Sequence, residues 1–499
     1  MKEKRPGIDR RDFMKQILYG TVGGAAALSG LQLLTGCKTR KKNNYNVLFI
    51  ISDDLRPQLG CYGETQMVTP HIDRLASQGM VFERSYCQQA LCAPSRASLL
   101  TGLRPDSTGI YGLKTPVQNK LPKHISLPGY FKQNGYETIS IGKIFHHHND
   151  SSGAWSKPPY FIKGAEYVTE EGLRLVSENR KLNPGLKLDF GAPFEMADLP
   201  DNAYKDGKLT DYAIKEMAKL KEKSFFLCVG YQKPHLPFVA PQKYWDLYDP
   251  GKIKLASNPF PPRDVSPYTK KNYVELRDFY GMPKGNNPIS NEQARHLIHG
   301  YYACVSFLDA QVGRLMGELD RLQLRDKTIV ILWGDNGYKL GDHGSWGKHT
   351  NFEIDTRVPL IVSAPGMKAA GKHTTALVES VDVYPTLCEL CDLDLPGQPL
   401  EGISFAPILE EPALKWKKAA FSLYPSGANI MGCAIRTDRF RYIEWKNPKK
   451  GKILARELYD HETDPGENVN VVDDPSYAGA VTGLEQMMKR GWKGALPNK

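Results

Sequence analysis

Asp53-Asp54 and Asp335-Asn336 each follow closely on a short apolar, β-rich run, VLFII (47–51) and TIVILW (328–333). All four side chains offer oxygen, the donor set of a hard divalent cation such as Ca²⁺ or Mg²⁺ rather than of zinc. One acidic pair alone would serve as a turn or helix cap; the second pair, at another strand end, favours a metal site. Two further runs end in groups that handle protons and anions. TISI (138–141) leads into Gly142-Lys143 and His146, and FFLCV (225–229) into GYQKPH with His235. His146 belongs to the run His146-His147-His148, and the spacing leaves open which ring faces a site. CAPSRASLLTG (92–102) sets a thiol, a proline near a helix start and Arg96 within five residues, and SWGKH adds Lys348. A free cysteine is often only a small buried hydrophobe, so Cys92 needs its context to be read.

The elements that position these groups follow from the same runs. Short apolar segments separated by helical ones describe a mostly parallel sheet covered on both faces, with VPLIV (358–362) as a fifth strand. Thr69-Pro70 reads as a capped helix start and Gly79 as its stop. Leu297, Tyr301, Cys304, Val305, Leu308, Val312, Leu315 and Leu319 recur at three- and four-residue steps, the core stripe of a long helix. Ligands of open α/β sheets bind outside the carboxyl ends of the strands, so the four polar clusters are expected to converge on one site. Beyond about residue 400, CAIRTDRFRYIEW and ARELYDHETDPGENVN suit a small antiparallel appendage.

CAPSRASLLTG resembles the CxPSRxxxxTG signature of the type I, formylglycine-dependent sulfatases, and GDNGYKLGDHGSWGKH resembles their second block. DDLRPQLGCYG, QQALCAPSR, GKIFHH, VGYQKPHLPF, VSFLDAQVGRL and ELYDHETDPGE are similar to segments of iduronate-2-sulfatases, and the likeness runs from about Asn46 to Asn470. Asn336 departs from that subfamily, where His tends to stand, and agrees with other sulfatases. The resemblance implies an alkaline-phosphatase-like α/β fold and a sulfuric ester hydrolase acting on a sulfated saccharide. Iduronate 2-sulfate in heparin-like or dermatan-like chains is the first expectation, and fragments of algal or other sulfated polysaccharides the next. It further implies that a formylglycine-generating enzyme oxidises Cys92 to formylglycine, hydrated to a gem-diol. Asp53, Asp54, Asp335, Asn336 and the diol at Cys92 would ligate Ca²⁺, and Arg96 would steady the diol. Lys143 and Lys348 would neutralise sulfate, with His146 as base and His235 as acid. Asp342-His343 is expected to order its loop, and contact of His349 with substrate is left open. A phosphoester hydrolase of the alkaline phosphatase superfamily would share the fold, but such enzymes usually pair two transition metals with Thr or Ser. A lipoprotein that binds sulfated glycans without turnover would follow if Cys92 were never oxidised.

Of the net charge of +11, residues 1–42 carry +7, so the remainder, at +4, has little of the basic character of a nucleic-acid partner. The early segment is an address. DRRDFMK (9–15) precedes an uncharged run from Ile17 to Leu34, resembling a twin-arginine export signal, and Leu34-Thr35-Gly36-Cys37 resembles a lipobox. The glycines and alanines of that run make a weak membrane span. The expected organisation is a signal peptide over 1–36, a basic tether over 37–45, a catalytic α/β domain over 46–400 and a C-terminal α+β subdomain over 401–499. The mature protein is expected to be exported, periplasmic or on the cell surface, held to a membrane by acylated Cys37. Nine cysteines form no disulfide ladder, and Cys388/Cys391, the one CxxC, suits a helix face in the core. Changing Arg10 and Arg11 to Lys should leave the protein in the cytoplasm on fractionation; unchanged export would refute the twin-arginine reading.

Overall fold

A computed structural model of the protein describes residues 44–186, 188–269, 275–285 and 287–497. The expected signal peptide, with Arg10, Arg11 and Cys37, lies outside the described residues. The central sheet is built from β1 (Asn46–Asp53), β2 (Met80–Phe82), β3 (Glu137–Gly142), β4 (Phe225–Pro234), β5 (Thr328–Gly334), β6 (Leu360–Ser363) and β7 (Lys372–Thr374). Their order is β7-β2-β6-β5-β1-β4-β3. Every pairing is parallel except the two made by β6, which runs against β5 and β2. The mostly parallel sheet is therefore as expected, and β1, β3, β4 and β5 all deliver their carboxyl ends to one edge.

Burial on both faces explains why the inner strands are largely apolar runs, whereas the edge strand β7 is polar and exposed at Lys372 and His373. The principal helices are α1 (Pro70–Ser77), α2 (Cys92–Thr101), α3 (Lys205–Lys219), α4 (Asn291–Arg321), α5 (Val383–Leu390) and α6 (Ala478–Arg490). Leu48 and Ile50 of β1 join a core with residues of α1, α3 and α4, while Val47, Phe49 and Ile51 point the other way into a core with α2 and α5. The predicted stripe of α4 is fully buried, and a Ser290/Gln293 capping box starts that helix. Thr69 caps differently from expectation: its hydroxyl accepts from Gly60 N–H (2.9 Å) and donates to Asp73 (3.1 Å), tying the preceding turn to α1. Cys388 and Cys391 are buried and unpaired, as expected of core cysteines. Past residue 400, β8 (Ala420–Pro425), β9 (Met431–Arg436), β10 (Phe440–Lys446) and β11 (Ile453–Asp460) form an antiparallel sheet in chain order. Among the described residues no helix is long and apolar enough to cross a membrane.

Two glycines let the carboxyl ends of β3 and β4 meet where the site begins. A Cβ on Gly142, at φ +77°, would lie 2.1 Å from the Gly230 carbonyl oxygen, and one on Gly230 would lie 2.1 Å from that of Lys143. Gly142→Ala is therefore expected to cost about 2–5 kcal/mol in denaturant unfolding, from backbone strain and overpacking together. A loss below about 0.5 kcal/mol, the scale of a neutral surface change, would contradict this role.

Candidate active site

Asp53, Asp54, Asp335 and Asn336 are fully buried at the ends of β1 and β5, side by side because those strands pair in parallel from Asn46 to Ser52. Asp54 adopts φ +60°, a conformation that few residues except Gly, Asn and Asp take readily. Its N–H donates to Asp335 Oδ1 (3.1 Å), and its Oδ1 accepts from Asn336 Nδ2 (2.7 Å) and from Lys348. Lys143, arriving from the end of β3, pairs with Asp53 Oδ2.

Helix α2 starts at Cys92 itself, so the thiol occupies the first helical position, with Pro94 in the first turn. Every residue of α2 is buried. Cys92 Sγ lies 3.2 Å from Asp53 Oδ1 and 3.3 Å from Lys348 Nζ. One turn on, Arg96 Nε donates to Asp335 Oδ2 (2.7 Å), and its Nη1 reaches the carbonyls of Lys143 and Ile144. Arg96 Nη2, 3.9 Å from Asp53 Oδ1, is buried with no hydrogen-bond acceptor among the described residues. Ser95 Oγ donates to the Asp335 carbonyl (2.5 Å), locking α2 onto the end of β5.

His235 comes from the extended end of β4. Its Nδ1 donates to the Leu236 carbonyl (2.7 Å), which turns Nε2 toward Asp54 Oδ2 (3.7 Å) and Glu275 Oε1 (3.6 Å). Donor atoms of Asp53, Asp54, Cys92 and His235 lie within 4.8 Å of one another. Asp53, Asp54, Asp335, Asn336, Lys143 and His235, singled out at the four strand ends, thus meet, with Lys348 arriving from the loop after β5. Of the three histidines, His148 stacks on Phe161 (4.4 Å between ring centres); both it and His146 feel the charges of Lys143 and Arg96, and His146 feels Asp53 as well. Burial and then Lys143 push His146 down to about 3, so its ring is neutral. Asp342 does order its loop, accepting from Arg56 (2.9 Å) and from Leu340 N–H (2.8 Å). His349 stacks on Tyr424 (5.5 Å).

Two supports carried no signal in the sequence. Glu275 is one. The other is Asp355, buried with Lys339: its Oδ2 also accepts from Thr350 N–H (2.9 Å), fixing the loop that presents Lys348. Each is a lone charged residue made meaningful only by the fold.

Electrostatics divide the acids. Burial would raise the Asp53 carboxyl, but Lys143, His235, Arg96 and Lys348 together hold it well below the usual carboxylate range. Burial, followed by repulsion from Asp53, lifts Asp335 to about 6 despite Arg96. Burial and Asp53 also push the Cys92 thiol well up, so an unmodified Cys92 is no thiolate nucleophile at neutral pH. The donor set fits a hard cation: Asp54 Oδ2 and Asn336 Oδ1 are buried without a hydrogen-bond donor among the described residues, and added positive charge relieves the Asp53–Asp335 repulsion.

A buried oxygen-rich cluster with two lysines, an arginine and a histidine, at the carboxyl edge of an alkaline-phosphatase-like α/β sheet, defines a hydrolase site for an anionic ester. Residues 45–393 match the Sulfatase family model, and residues 341–493 match that of the N-sulphoglucosamine sulphohydrolase C-terminal region. The chain belongs to the sulfatase family and is a sulfuric ester hydrolase. It is 34% identical over 517 residues to the iduronate 2-sulfatase of Mus musculus, covering 88% of this chain and 93% of that one. Its fold matches a protein solved with its substrate D-glucosamine-2-N,6-O-disulfate (TM-score 0.72, 22% identity, covering 91% and 98% of the two chains). A phosphonate monoester hydrolase from Silicibacter pomeroyi shares the fold too (TM-score 0.71, 25% identity, 91% and 96%).

The raised Asp335 gives a prediction with a definite sign. A carboxyl whose folded pKa lies near 6 favours the cation-free fold below that pH and weighs against it above, and a cation must displace its proton at low pH. The rise in melting temperature when Ca²⁺ is added to chelator-treated protein should therefore shrink as pH falls from about 7.5 to about 5. A rise independent of pH would contradict this assignment.

Proposed function

We propose that the protein removes sulfate from a sulfated saccharide, using formylglycine made from Cys92 and a Ca²⁺ ion held by Asp53, Asp54, Asp335 and Asn336. One observation carries the reading: Cys92 sits at the first helical position of a wholly buried helix, between Asp53 and Lys348, although burial makes its thiol a poor nucleophile. Hydration of a formylglycine there supplies two hydroxyls on one carbon. One gives its proton to the Asp53 carboxylate beside residue 92 and attacks sulfur as the ester S–O bond breaks; His235, through Nε2, gives the leaving alkoxide its proton. The other hydroxyl then loses its proton to His146, the electrons of that O–H bond form the aldehyde C=O, and the carbon–oxygen bond to the sulfated oxygen breaks with its pair leaving on sulfate. A serine in that place would keep the sulfate and need water to attack a crowded anion. Bound Ca²⁺ would supply positive charge to the sulfate oxygens and the attacking hydroxyl. Lys143 and Lys348 neutralise charge on the same oxygens, and the unclaimed Arg96 Nη2 donor is available to the diol.

Sulfated uronate, with iduronate 2-sulfate first, is the proposed substrate class, supported by similarity to the mouse iduronate 2-sulfatase and permitted by basic loops such as KNPKKGK. A twin-arginine signal and acylated Cys37 would place the enzyme at a membrane surface outside the cytoplasm, and export of a folded protein allows Cys92 to be oxidised beforehand.

Desulfation of position-defined sulfated disaccharides is the test. The wild type should release sulfate from 2-O-sulfated uronates, and Cys92→Ala should lose at least about 10³-fold in kcat, the scale of removing a nucleophile. Turnover of a phosphonate monoester in preference to every sulfate ester would overturn the reading, and release only from other ring positions would overturn the uronate assignment.

A further inference from the structure

We propose that Lys233, with Asp206, is a positioning residue that sets the catalytic presentation of His235; the inference rests on His235 acting as the acid of the proposed mechanism. Lys233 is 4% exposed and lies two residues before His235. A buried ammonium is costly unless its donors are met, and a methionine would fill similar space without that cost. Here the donors are met by the segment that carries the histidine. Lys233 Nζ donates to the Pro237 carbonyl (2.7 Å) and the His235 carbonyl (3.3 Å), and lies 3.5 Å from Glu166 Oε2. Two of its three partners thus flank Leu236, whose carbonyl accepts from His235 Nδ1.

The backbone of the same segment is held from two sides. Asp206, in the first turn of α3, accepts from Lys233 N–H (2.9 Å) and from Gln232 N–H (3.2 Å) through a buried carboxylate. Ser52 Oγ, adjacent to Asp53, donates to the Lys233 carbonyl (2.9 Å). His235 Nε2 is therefore aimed from a loop referenced both to α3 and to the strand end that carries Asp53 and Asp54. Displacement by about 1 Å is enough to cost roughly 10²-fold in rate. Loss of the Lys233 ammonium frees the carbonyls on either side of Leu236, the residue that anchors His235 Nδ1, without removing any group from the reaction centre.

A leaving-group comparison separates positioning from mere stabilisation. A saccharide alkoxide needs a proton as it leaves, whereas 4-nitrophenolate, a far weaker base, does not. The full-length enzyme, Lys233→Met, Asp206→Asn and His235→Ala would be assayed on a 2-O-sulfated uronate disaccharide and on 4-nitrophenyl sulfate, with melting temperatures alongside. The expected result is a kcat on the disaccharide lowered roughly 10- to 100-fold in Lys233→Met, with KM and the aryl sulfate rate nearly unchanged, and the same selective pattern, more pronounced, in His235→Ala. Asp206→Asn keeps the side-chain volume and should show the pattern even if Lys233→Met does not fold. Equal losses on both substrates, or none, in variants of an enzyme whose His235→Ala form is selective would overturn the positioning role alone. An unselective His235→Ala would overturn the acid assignment and the inference with it.

Discussion

Three carboxylates packed without solvent at the end of a sheet repel one another, and the surrounding fold answers that repulsion. Asp53, Asp54 and Asp335 are fully buried, and each has a cation brought to it from a different part of the chain: Lys143 from β3, Lys348 from the loop after β5, Arg96 from α2. Removing one partner from such a set strands a charge in a low-dielectric place, which costs more than the pair itself gains. The positions of α2, of β3 and of the loop after β5 are therefore constrained together. The constraint also has chemical use. In the proposed mechanism the cations that balance the buried acids are also those that neutralise the sulfate ester, already oriented and with little reorganisation left to make.

The antiparallel sheet is coupled to the same region through a second buried charge cluster. Arg441, on β10, donates to Glu467 (2.6 Å), to Glu353 (2.5 Å) and to the Asn351 carbonyl (2.8 Å). Asn351 follows Lys348 by three residues and donates back to the Gly432 carbonyl on β9 (3.1 Å). Tyr424 of β8 stacks on His349 from that side. Glu353, His461 and Glu467 form a group of possible metal donors, but two arginines engage it: Arg436 and Arg441 hold Glu353, and burial is outweighed by these charges. It serves as an ionic joint. The segments after residue 400 thus brace the loop that presents Lys348.

Much of this was legible in the sequence because parallel strands buried on both faces leave an unambiguous mark. Apolar runs give the strands, and polar residues just beyond them give the carboxyl edge. Asp53, Lys143, His235 and Asp335 were found by that rule alone. Cys92, Arg96 and Lys348 needed the CxPSR context, since nothing in their spacing distinguishes a reactive centre from a packed cysteine and a surface lysine. The start of α2 at Cys92 is not fixed by the sequence, because Pro94 is an equally good marker of a first turn. The reversed direction of β6 was missed because direction leaves no trace in a four-residue apolar strand. Asp355, Glu275, Asp206 and Lys233 stayed hidden for one reason: their partners are set by tertiary contact, and a lone charged residue looks like a solvated one until its burial is known.

All of these contacts converge on the chemical identity of residue 92. A thiol held high by burial beside Asp53 has no evident use as a nucleophile, while an aldehyde hydrate in the same place would accept the charges around it. Mass spectrometry of the peptide containing residue 92, from protein purified with sulfatase activity, tests this most directly. The account predicts formylglycine, seen as a residue mass below that of cysteine and trapped by an aldehyde-reactive hydrazide. Fully active protein with only the unmodified thiol at Cys92 would contradict it.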